Sequence, residues 1–220
     1  ALISRFPGGK IFQADYSQHE LRTYAAVAGD EFLLKVFKNP KADVHQETAE
    51  ELKLARSIAK NVNFSILYVI TPEGLKAKYG MDYDVGKEAI QAWHKKHPWL
   101  KKLYIQTCED LLRQGYVENI FGWRRRMENP EALRPAVEKF LRALRLEGRV
   151  PSSSSEEFYY ECSHEIRAFI NFLIQGPAGV ITNFALMEVE EAFQYWPARM
   201  ERRPLLVHQI HDSIVADSPP

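Results

Sequence analysis

The hydrophobic pattern predicts strands near the two ends of the chain and helices between them. Residues 10–15 are short, apolar and aromatic and follow two glycines, which predicts a strand that ends at Asp15. Near the other end, residues 205–209 and 213–216 are rich in β-forming residues and predict a hairpin with its turn at 210–212. This arrangement is typical of an α+β fold.

Most of the chain between these strands has apolar residues at helical spacing. Ser17 and Glu20 match a capping box at the start of a first helix, which Gly29 ends. Further helices are predicted over 31–37, from Asp43 as cap through Leu52, over 54–69, from a start at Thr71-Pro72, over 84–96 and over 98–114, where Gly115 closes the last. Residues 116–121 predict a short strand, followed by a turn at Gly122.

Residues 128–163 differ from the rest because they contain three prolines and the serine run 152–155. This composition predicts an arginine-rich helix followed by a flexible loop. A helix then resumes near His164, and another runs from about residue 179 to 195.

Composition indicates a globular protein of one domain or two small lobes, with 220 residues, 45% hydrophobic and 26% charged. No apolar run approaches the ~20 residues that span a bilayer, and no signal peptide is visible, so we expect a soluble protein. Cys108 and Cys162 lack metal-site spacing, which favours a reducing compartment. Because the first residue is Ala1 and the last two are prolines, we expect a piece of a longer protein.

A net charge of zero weakens a nucleic-acid interpretation slightly, since DNA-binding proteins usually carry a basic face. Net charge hides clustering, however. Basic residues cluster at Lys95, Lys96, Lys101 and Lys102, at Arg124, Arg125 and Arg126, and at Arg142, Arg145 and Arg149. Each cluster is equally compatible with a solvated helix face.

Two aspartates occupy exposed, rigid positions, Asp15 at a strand end and Asp212 at a turn. Two carboxylates that are brought together repel each other unless a cation lies between them, and their hard oxygens suit Mg²⁺. Two such ions ~3.5–4 Å apart can activate a 3′-hydroxyl and stabilise a leaving pyrophosphate. Spacing alone leaves open the alternative of two unrelated surface aspartates.

The predicted helix over 54–69 carries a possible nucleotide-binding face. Four residues turn a helix by roughly 400°, so residues that recur every four positions share one face. The residues at this spacing are Arg56, Lys60, Phe64 and Tyr68. Cations can bind triphosphate oxygens, and a ring can stack on a base or sugar. The alternative is an ordinary core helix whose buried stripe is Ile58, Val62, Ile66 and Val69.

Six segments resemble the family A (DNA polymerase I-like) DNA polymerases, and their order and approximate spacing along the chain also match that family. DYSQHELR (15–22) is similar to motif A, usually DYSQIELR; the Arg-Lys-Phe-Tyr helix face is similar to motif B; and VHQIHDS (207–213) is similar to motif C, in which His-Asp-Glu is usual. The other three are DVHQETA (43–49), GYVENIFGWRRR (115–126), and Arg167-x3-Asn171-x3-Gln175-Gly176. The resemblance covers nearly the whole chain except about 128–163.

The resemblance implies a right-hand palm, an antiparallel sheet with helices, together with helical fingers. Palm residues 1–22 and 166–220 would flank fingers residues 23–165. We interpret the stretch at about 128–163 as a family-atypical insertion and a surface elaboration, rather than as a track for the DNA backbone. We find no thumb and no exonuclease carboxylate cluster in this chain. We expect such domains in the parent protein, and we expect the isolated fragment to hold primer–template poorly.

The resemblance also implies roles for individual residues. The metal ligands would be Asp15, Asp212 and the backbone carbonyl of Tyr16, and Lys60 would assist catalysis. The nucleotide would contact Gln18, Glu20, His45, Arg56, Lys60, Phe64 and Tyr68. The primer–template would contact Arg125, Arg167, Asn171, Gln175 and His211. Glu20 would exclude a ribose 2′-hydroxyl, and its alternative role is the capping box. The alternative for His211 is a turn histidine held by the backbone.

The function so implied is a DNA-templated DNA polymerase that adds dNTPs to a primer 3′-hydroxyl, with two Mg²⁺ ions and release of pyrophosphate. Its partners would be primer–template DNA and dNTPs, without a membrane, in the cytoplasm of a bacterial or phage-infected cell. One alternative is a single-subunit RNA polymerase relative, against which Glu20 and Phe64 argue. Another is a non-catalytic nucleic-acid-binding fragment, since Ser213 stands where motif C usually has glutamate. Ser65 and Val69 likewise replace glycines of motif B.

Overall fold

The computed structural model describes residues 2–147, 157–196 and 202–220; of residues 147 and 157–163 it describes the backbone alone. The chain forms two compact units. Unit 1 contains residues 1–20 and 175–220, and unit 2 contains residues 21–174. Helices and antiparallel strands are both present, which confirms the α+β prediction.

The described residues form five strands and nine α-helices. In chain order they are β1 (Lys10–Asp15), α1 (His19–Ala28), α2 (Glu31–Val36), α3 (Val44–Leu52), α4 (Arg56–Leu67), α5 (Pro72–Tyr79), α6 (Tyr83–Lys96), α7 (Pro98–Gln114), β2 (Tyr116–Glu118), β3 (Arg124–Arg126), α8 (Pro130–Arg142), α9 (Glu157–Gln194), β4 (Leu205–Ile210) and β5 (Ser213–Ser218). A π-helical turn, Ala143–Glu147, follows α8.

Unit 1 is built on a three-stranded antiparallel sheet in the order β1-β5-β4. The central strand β5, which has a neighbour on each side, is buried along most of its length. Strands β4 and β5 form the predicted hairpin, with its turn at His211 and Asp212. Asp15 lies opposite Ser213 in the β1–β5 register. The strand predictions at both ends of the chain are therefore confirmed.

Unit 2 is a helical domain around one hydrophobic core. Its largest fully buried side chains are Leu21, Tyr24, Leu33, Ile66, Leu67, Leu75, Leu100, Tyr104, Leu111, Phe140, Leu144 and Phe169. The Tyr104 hydroxyl donates to the backbone carbonyl of Ile66 over 2.6 Å and so satisfies a carbonyl near the end of α4. Burial of these side chains supplies the main driving force for folding of the unit.

Helix starts in unit 2 follow the predicted caps. The Asp43 carboxylate accepts from the backbone N–H groups of His45 and Gln46, and the Thr71 hydroxyl accepts from that of Gly74. The predicted capping box is wrong, however. Helix α1 begins at His19, and the preceding Gln18 has a φ of +55°, so Ser17 does not occupy the N-cap position.

A buried polar cluster around Asp30 also helps to fix the arrangement of helices in unit 2. Asp30 is fully buried and accepts from the Tyr24 hydroxyl (3.1 Å) and from the Leu33 backbone N–H (3.0 Å). Its other contact is with Nδ1 of His97, 2.8 Å away. Since a buried carboxylate is costly without partners, this cluster favours one arrangement of α1, α2 and the start of α7.

Three predicted boundaries need correction. Helix α4 covers 56–67 rather than 54–69, and Tyr68 is its C-cap. The segment 116–126 forms a hairpin of two strands, because the arginines pair with β2. The two helices predicted from His164 and from residue 179 are one helix, α9, which continues through Pro177. The predicted loop around the serine run 152–155 lies outside the described residues.

The interpretation of 128–163 as a surface elaboration is wrong for its first part. Helix α8 buries Leu133, Ala136, Val137, Phe140 and Leu141, all five in the main core of unit 2. An amphipathic helix with a buried apolar side is part of the packed domain. The sequence predicted a helix here, and Pro130 occupies its first turn, where proline is tolerated, but the buried apolar side of that helix was not recognised from the sequence.

Residues 164–194 of α9 have the length and apolar composition of a membrane-crossing helix. The expectation that no stretch of the sequence approaches that length was therefore wrong. Within unit 2, the side chains of Ile166, Phe169, Ile170 and Ile174 are buried in the core. We interpret this part of α9 as a core helix, because its apolar side chains pack against protein.

Val69 adopts a backbone conformation that suits glycine. Its φ is +65°, a region in which a β-branched residue is strained, and its side chain is nevertheless buried. Val62, on α4, is equally buried without a positive φ. The two valines therefore form a matched pair that separates backbone strain from burial.

We expect Val62→Gly to lower the free energy of unfolding by about 3 kcal/mol, from lost burial and the glycine penalty in a helix. Val69→Gly should stay within about 1 kcal/mol of the unchanged protein, because relief of strain offsets the lost burial. Urea unfolding followed by circular dichroism measures both. Equal losses in the two variants would show that Val69 is not strained.

Candidate functional site

The pairing of β1 with β5 places the two predicted metal-binding aspartates at neighbouring positions in unit 1. Asp15 ends β1 opposite Ser213, the residue that follows Asp212. The backbone N–H of Tyr16 donates to the carbonyl of Asp212 over 3.2 Å. Asp15 is exposed and Asp212 is half-buried. Two residues almost 200 positions apart are thus held at the same end of one sheet.

Two carboxylates on adjacent, rigid backbone fit a hard divalent cation such as Mg²⁺, which also keeps water and substrate oxygens as ligands. Within the described ranges, no group of three or more His, Cys, Asp or Glu side chains could hold a metal. A cation here would therefore depend on Asp15, Asp212 and nearby backbone oxygens, of which the predicted one is the carbonyl of Tyr16.

The position of the expected third carboxylate is occupied by a neutral hydrogen-bonded pair. The Gln13 side-chain amide donates to Oγ of Ser213 over 2.6 Å, and Ser213 donates to the carbonyl of Ile210 over 3.1 Å. Because side chains alternate along a strand, Gln13, Asp15 and Ser213 lie on one face of the sheet. Sequence reasoning missed Gln13, although its spacing of two residues from Asp15 was a usable signal.

A second group of predicted residues meets at the start of α1 in unit 1. The Gln175 amide donates to a carboxylate oxygen of Glu20 over 3.1 Å. The His19 ring stacks on Tyr16 at 4.6 Å, and its Nε2 lies 2.9 Å from the carbonyl of Ala178. Glu20, a predicted nucleotide contact, is therefore oriented by Gln175, a predicted DNA contact.

In unit 2, α3 and α4 bring together the residues predicted to bind the triphosphate. Nε of Arg56 lies 2.7 Å from a carboxylate oxygen of Asp43, the N-cap of α3. Nζ of Lys60 lies 5.7 Å from the centre of the Phe64 ring, and the His45 ring lies 5.3 Å from that of Phe64. Burial opposes the shift, but the hydrogen bonds from Arg56 and the Gln46 backbone hold the pKa of Asp43 below its usual value.

The buried side of α4 differs from the stripe that was predicted. Val62, Ile66 and Val69 are buried, but Ile58 is 38% exposed and Ala59 is buried instead. Arg56 and Lys60 are exposed, and Phe64 is half-buried. The two cations thus face solvent and remain accessible to an anionic ligand.

Tyr68 and Arg167 border a cavity of about 670 Å³ in unit 2. Phe64 and Ser65 of α4 also line this cavity, and Oγ of Ser65 lies 2.9 Å from the hydroxyl of Tyr79. The cavity is open enough to admit a planar group, and its aromatic lining favours stacking. Phe64 and Tyr68 therefore lie at one cavity, as their helical spacing predicted, and Arg167 lines the same cavity.

The remaining predicted DNA contacts are more dispersed. Arg125 lies 3.5 Å from a Glu165 carboxylate oxygen and 5.3 Å from the centre of the Phe169 ring, so its charge is partly balanced within unit 2. Asn171, on α9, has a buried Oδ1 that lacks a hydrogen-bond partner among the described residues. His211 is exposed at the hairpin turn of unit 1. Sequence patterns could not show that Arg125 pairs with Glu165.

His45 is held in a buried polar cluster that sequence reasoning missed. Burial lowers its pKa to about 4; the charge of Asp43 opposes this, and those of Arg56 and Lys60 add to it. The neighbours of the ring include Asn63 and, through it, Trp93. The signal for this cluster was Asn63, an amide on the buried side of an otherwise apolar stripe.

A sequence model of the family described as "DNA polymerase family A" matches residues 1–220. DNA polymerase I of Chloroflexus aurantiacus is 30% identical over 97% of this chain and 20% of that protein. DNA polymerase I of Borreliella burgdorferi is 32% identical over 96% and 21%, and a DNA polymerase of Mycobacterium phage L5 is 27% identical over 97% and 29%. The chain spans less than a third of each of these relatives.

A solved structure, the POL domain of Pol1 from M. smegmatis in complex with DNA primer-template and dNTP, has a similar fold. The TM-score is 0.69 at 20% identity, over 95% of this chain and 33% of that one. At this identity the likeness concerns the fold alone.

Two histidines that are shielded from solvent, His45 fully and His94 in part, predict a loss of stability in mild acid. Burial, with the help of neighbouring positive charge, lowers the folded-state pKa of both His45 and His94 to about 4, below the ordinary value of 6.5. Between these pH values the unfolded state takes up protons that the folded state does not. The free energy of unfolding should therefore fall as the pH falls from 6.5 towards 4, by up to about 1.4 kcal/mol per pH unit for each histidine.

Urea unfolding at a series of pH values tests this expectation. His45→Gln should remove the contribution of His45 to the pH dependence of the free energy of unfolding and so make that dependence shallower. Other titrating groups contribute equally to both proteins. An unchanged slope in His45→Gln would show that His45 is not buried as a neutral side chain.

Proposed function

Because the chain belongs to DNA polymerase family A, we propose that it forms the part of a DNA-templated DNA polymerase that binds a dNTP and joins it to a primer 3′-hydroxyl. The observation that carries this proposal is the placement of Asp15 and Asp212 at neighbouring positions by β1 and β5. The same unit orients Glu20 at the start of α1. The partners would be primer–template DNA and dNTPs.

Asp15, Asp212 and the Tyr16 carbonyl would hold two Mg²⁺ ions. When bound, these ions would supply charge neutralisation and activation of the attacking hydroxyl. The chain itself contributes a rigid frame, since Asp15 ends a paired strand and Asp212 lies in a tight turn. The neutral pair of Gln13 and Ser213 leaves the negative charge of this face to the two aspartates.

Arg56 and Lys60 would bind the triphosphate. Arg56 forms its ion pair with Asp43 at the surface, where such pairs are weak, so a phosphate group can replace the carboxylate at little cost. Lys60 is exposed and would stabilise the charge that develops on the leaving pyrophosphate. Phe64 and Tyr68 line the cavity of unit 2 with their rings, and the sugar and base would stack on these rings.

Glu20 would act as the barrier against a ribose 2′-hydroxyl. Its carboxylate is fixed by the Gln175 amide, which restricts the rotamers of a side chain that is otherwise flexible. A relative that polymerises RNA would have to accommodate the hydroxyl at this position. Comparable incorporation of rNTPs and dNTPs would therefore contradict the DNA specificity that we propose.

We expect Asp15→Asn and Asp212→Asn each to lower Mg²⁺-dependent primer extension by at least about 100-fold, because each removes a carboxylate that would hold the Mg²⁺ ions. Extension of a labelled primer by the whole protein, followed on a denaturing gel, measures the loss.

The matched control is Asp84→Asn, an exposed carboxylate near the start of α6, which should leave extension unchanged. Circular dichroism checks that all three variants are folded. Full extension by both Asp15→Asn and Asp212→Asn would favour the alternative of a non-catalytic nucleic-acid-binding protein.

A further inference from the structure

Four buried polar side chains connect three helices beside the proposed triphosphate site. They are His45 and Thr48 on α3, Asn63 on α4 and Trp93 on α6, and each is at least nine-tenths buried. The Asn63 side chain lies 3.1 Å from Nδ1 of His45, 3.0 Å from Oγ1 of Thr48 and 3.2 Å from Nε1 of Trp93. The three partners match the carbonyl oxygen and the two N–H donors of the amide, one partner to each.

The indole determines the direction of these hydrogen bonds. An indole N–H can only donate, so the atom of Asn63 that faces Trp93 must be the carbonyl oxygen. The amide nitrogen therefore faces the other two partners. One of its protons goes to Oγ1 of Thr48, whose own hydroxyl donates to the carbonyl of Val44 over 2.9 Å.

The remaining amide proton points at Nδ1 of His45. This nitrogen must then be an acceptor, which means that it carries no proton. A neutral imidazole has one proton, so the proton of His45 is on Nε2. The tautomer of His45 thus follows from the chemistry of Trp93, two hydrogen bonds away.

Nε2 of His45 is buried and has no hydrogen-bond partner among the residues that the structure describes. A buried donor without an acceptor costs about 1–3 kcal/mol, so an acceptor that reached this atom would be stabilising. The charged groups around the ring are Asp43 on its own helix and Arg56 and Lys60 on α4. An anion attracted by Arg56 and Lys60 would supply a hydrogen-bond acceptor for Nε2 of His45.

Protonation of the ring would disrupt the cluster. A proton on Nδ1 would face the Asn63 amide protons, which Trp93 prevents from turning away. Burial and the two neighbouring cations act in the same direction and lower the pKa of His45. The histidine is therefore a neutral hydrogen-bond donor at neutral pH, and Arg56 and Lys60 supply the positive charge.

We infer that Asn63, held by Trp93, is a positioning residue that fixes His45 as the Nε2–H tautomer, so that a phosphate oxygen of the bound nucleotide accepts from Nε2. The tautomer itself follows from the contacts of unit 2. Its use toward a phosphate rests on the proposed function. Asn63 touches no substrate in this scheme and acts only through His45.

The tautomer can be measured without any activity. The whole protein, labelled with ¹⁵N-histidine, is examined by long-range ¹H–¹⁵N correlation from about pH 6 to about pH 8, where the pattern of the two ring nitrogens distinguishes the tautomers. His45→Gln identifies the resonances. We expect an unprotonated Nδ1 and a protonated Nε2. A proton on Nδ1 in the unchanged protein would overturn the inference, whatever primer extension shows.

Asn63→Asp tests the mechanism. The carboxylate still accepts from Trp93, but its second oxygen needs a proton from His45, so the proton should move to Nδ1 or the ring should become charged. We expect the KM for dNTP to rise about 10-fold, the loss of one hydrogen bond to a charged group, with a smaller change in kcat. The KM should also become pH-dependent near neutrality.

Thr48→Val is the matched control. It removes a partner of Asn63 from the same cluster but leaves the contacts from Trp93 through Asn63 to His45 in place. Its nitrogen pattern and KM should match those of the unchanged protein. Trp93→Phe, by contrast, should free the amide to rotate and give mixed tautomers.

Kinetics in His45→Gln separate the inference from the proposed function. If Asn63 acts through His45, the double variant with Asn63→Asp should lose no more than His45→Gln alone. Additive losses would overturn the positioning role. A whole protein that extends no primer would instead contradict the proposed function, and the nitrogen pattern would still report on the tautomer.

Discussion

The pairing of β1 with β5 is the constraint on which the site in unit 1 depends. It joins positions about 200 residues apart, as the Gln13–Ser213 hydrogen bond shows. The register is decisive, because a shift of one residue would turn every side chain of a strand to the other face. In the observed register, Asp15 and Ser213 are opposite each other, and the hairpin turn at Asp212 is at the same end of the sheet.

The sequence predicted those elements whose signals are local. Asp43 and Thr71 cap helices with their own side chains, and a short β-forming run ends at Asp15. The continuity of α9 could not be predicted in this way. A proline normally interrupts a helix, but at Pro177 burial of the preceding stretch in the core outweighs that preference.

In the candidate site, too, local features could be predicted from the sequence and contacts between distant residues could not. Positions such as Arg56 and Lys60 could be predicted, because helical spacing alone places them on one face. Contacts between side chains on different helices could not be predicted. Trp93 lies 30 residues from Asn63, and no periodic pattern links an indole on one helix to an amide on another. Such contacts depend on packing of the whole unit, which the sequence determines only through the fold.

Side-chain amides perform one common task in both units. Gln13 contacts Ser213, Gln175 contacts Glu20, and Asn63 contacts His45. An amide donates and accepts at once, so it can fix the orientation of a neighbour without adding charge. A carboxylate or a lysine in the same place would also shift the protonation of that neighbour. Neutral amides therefore orient neighbouring side chains in each unit, and the charges that our proposal uses are those of the aspartates in unit 1 and of the cations in unit 2.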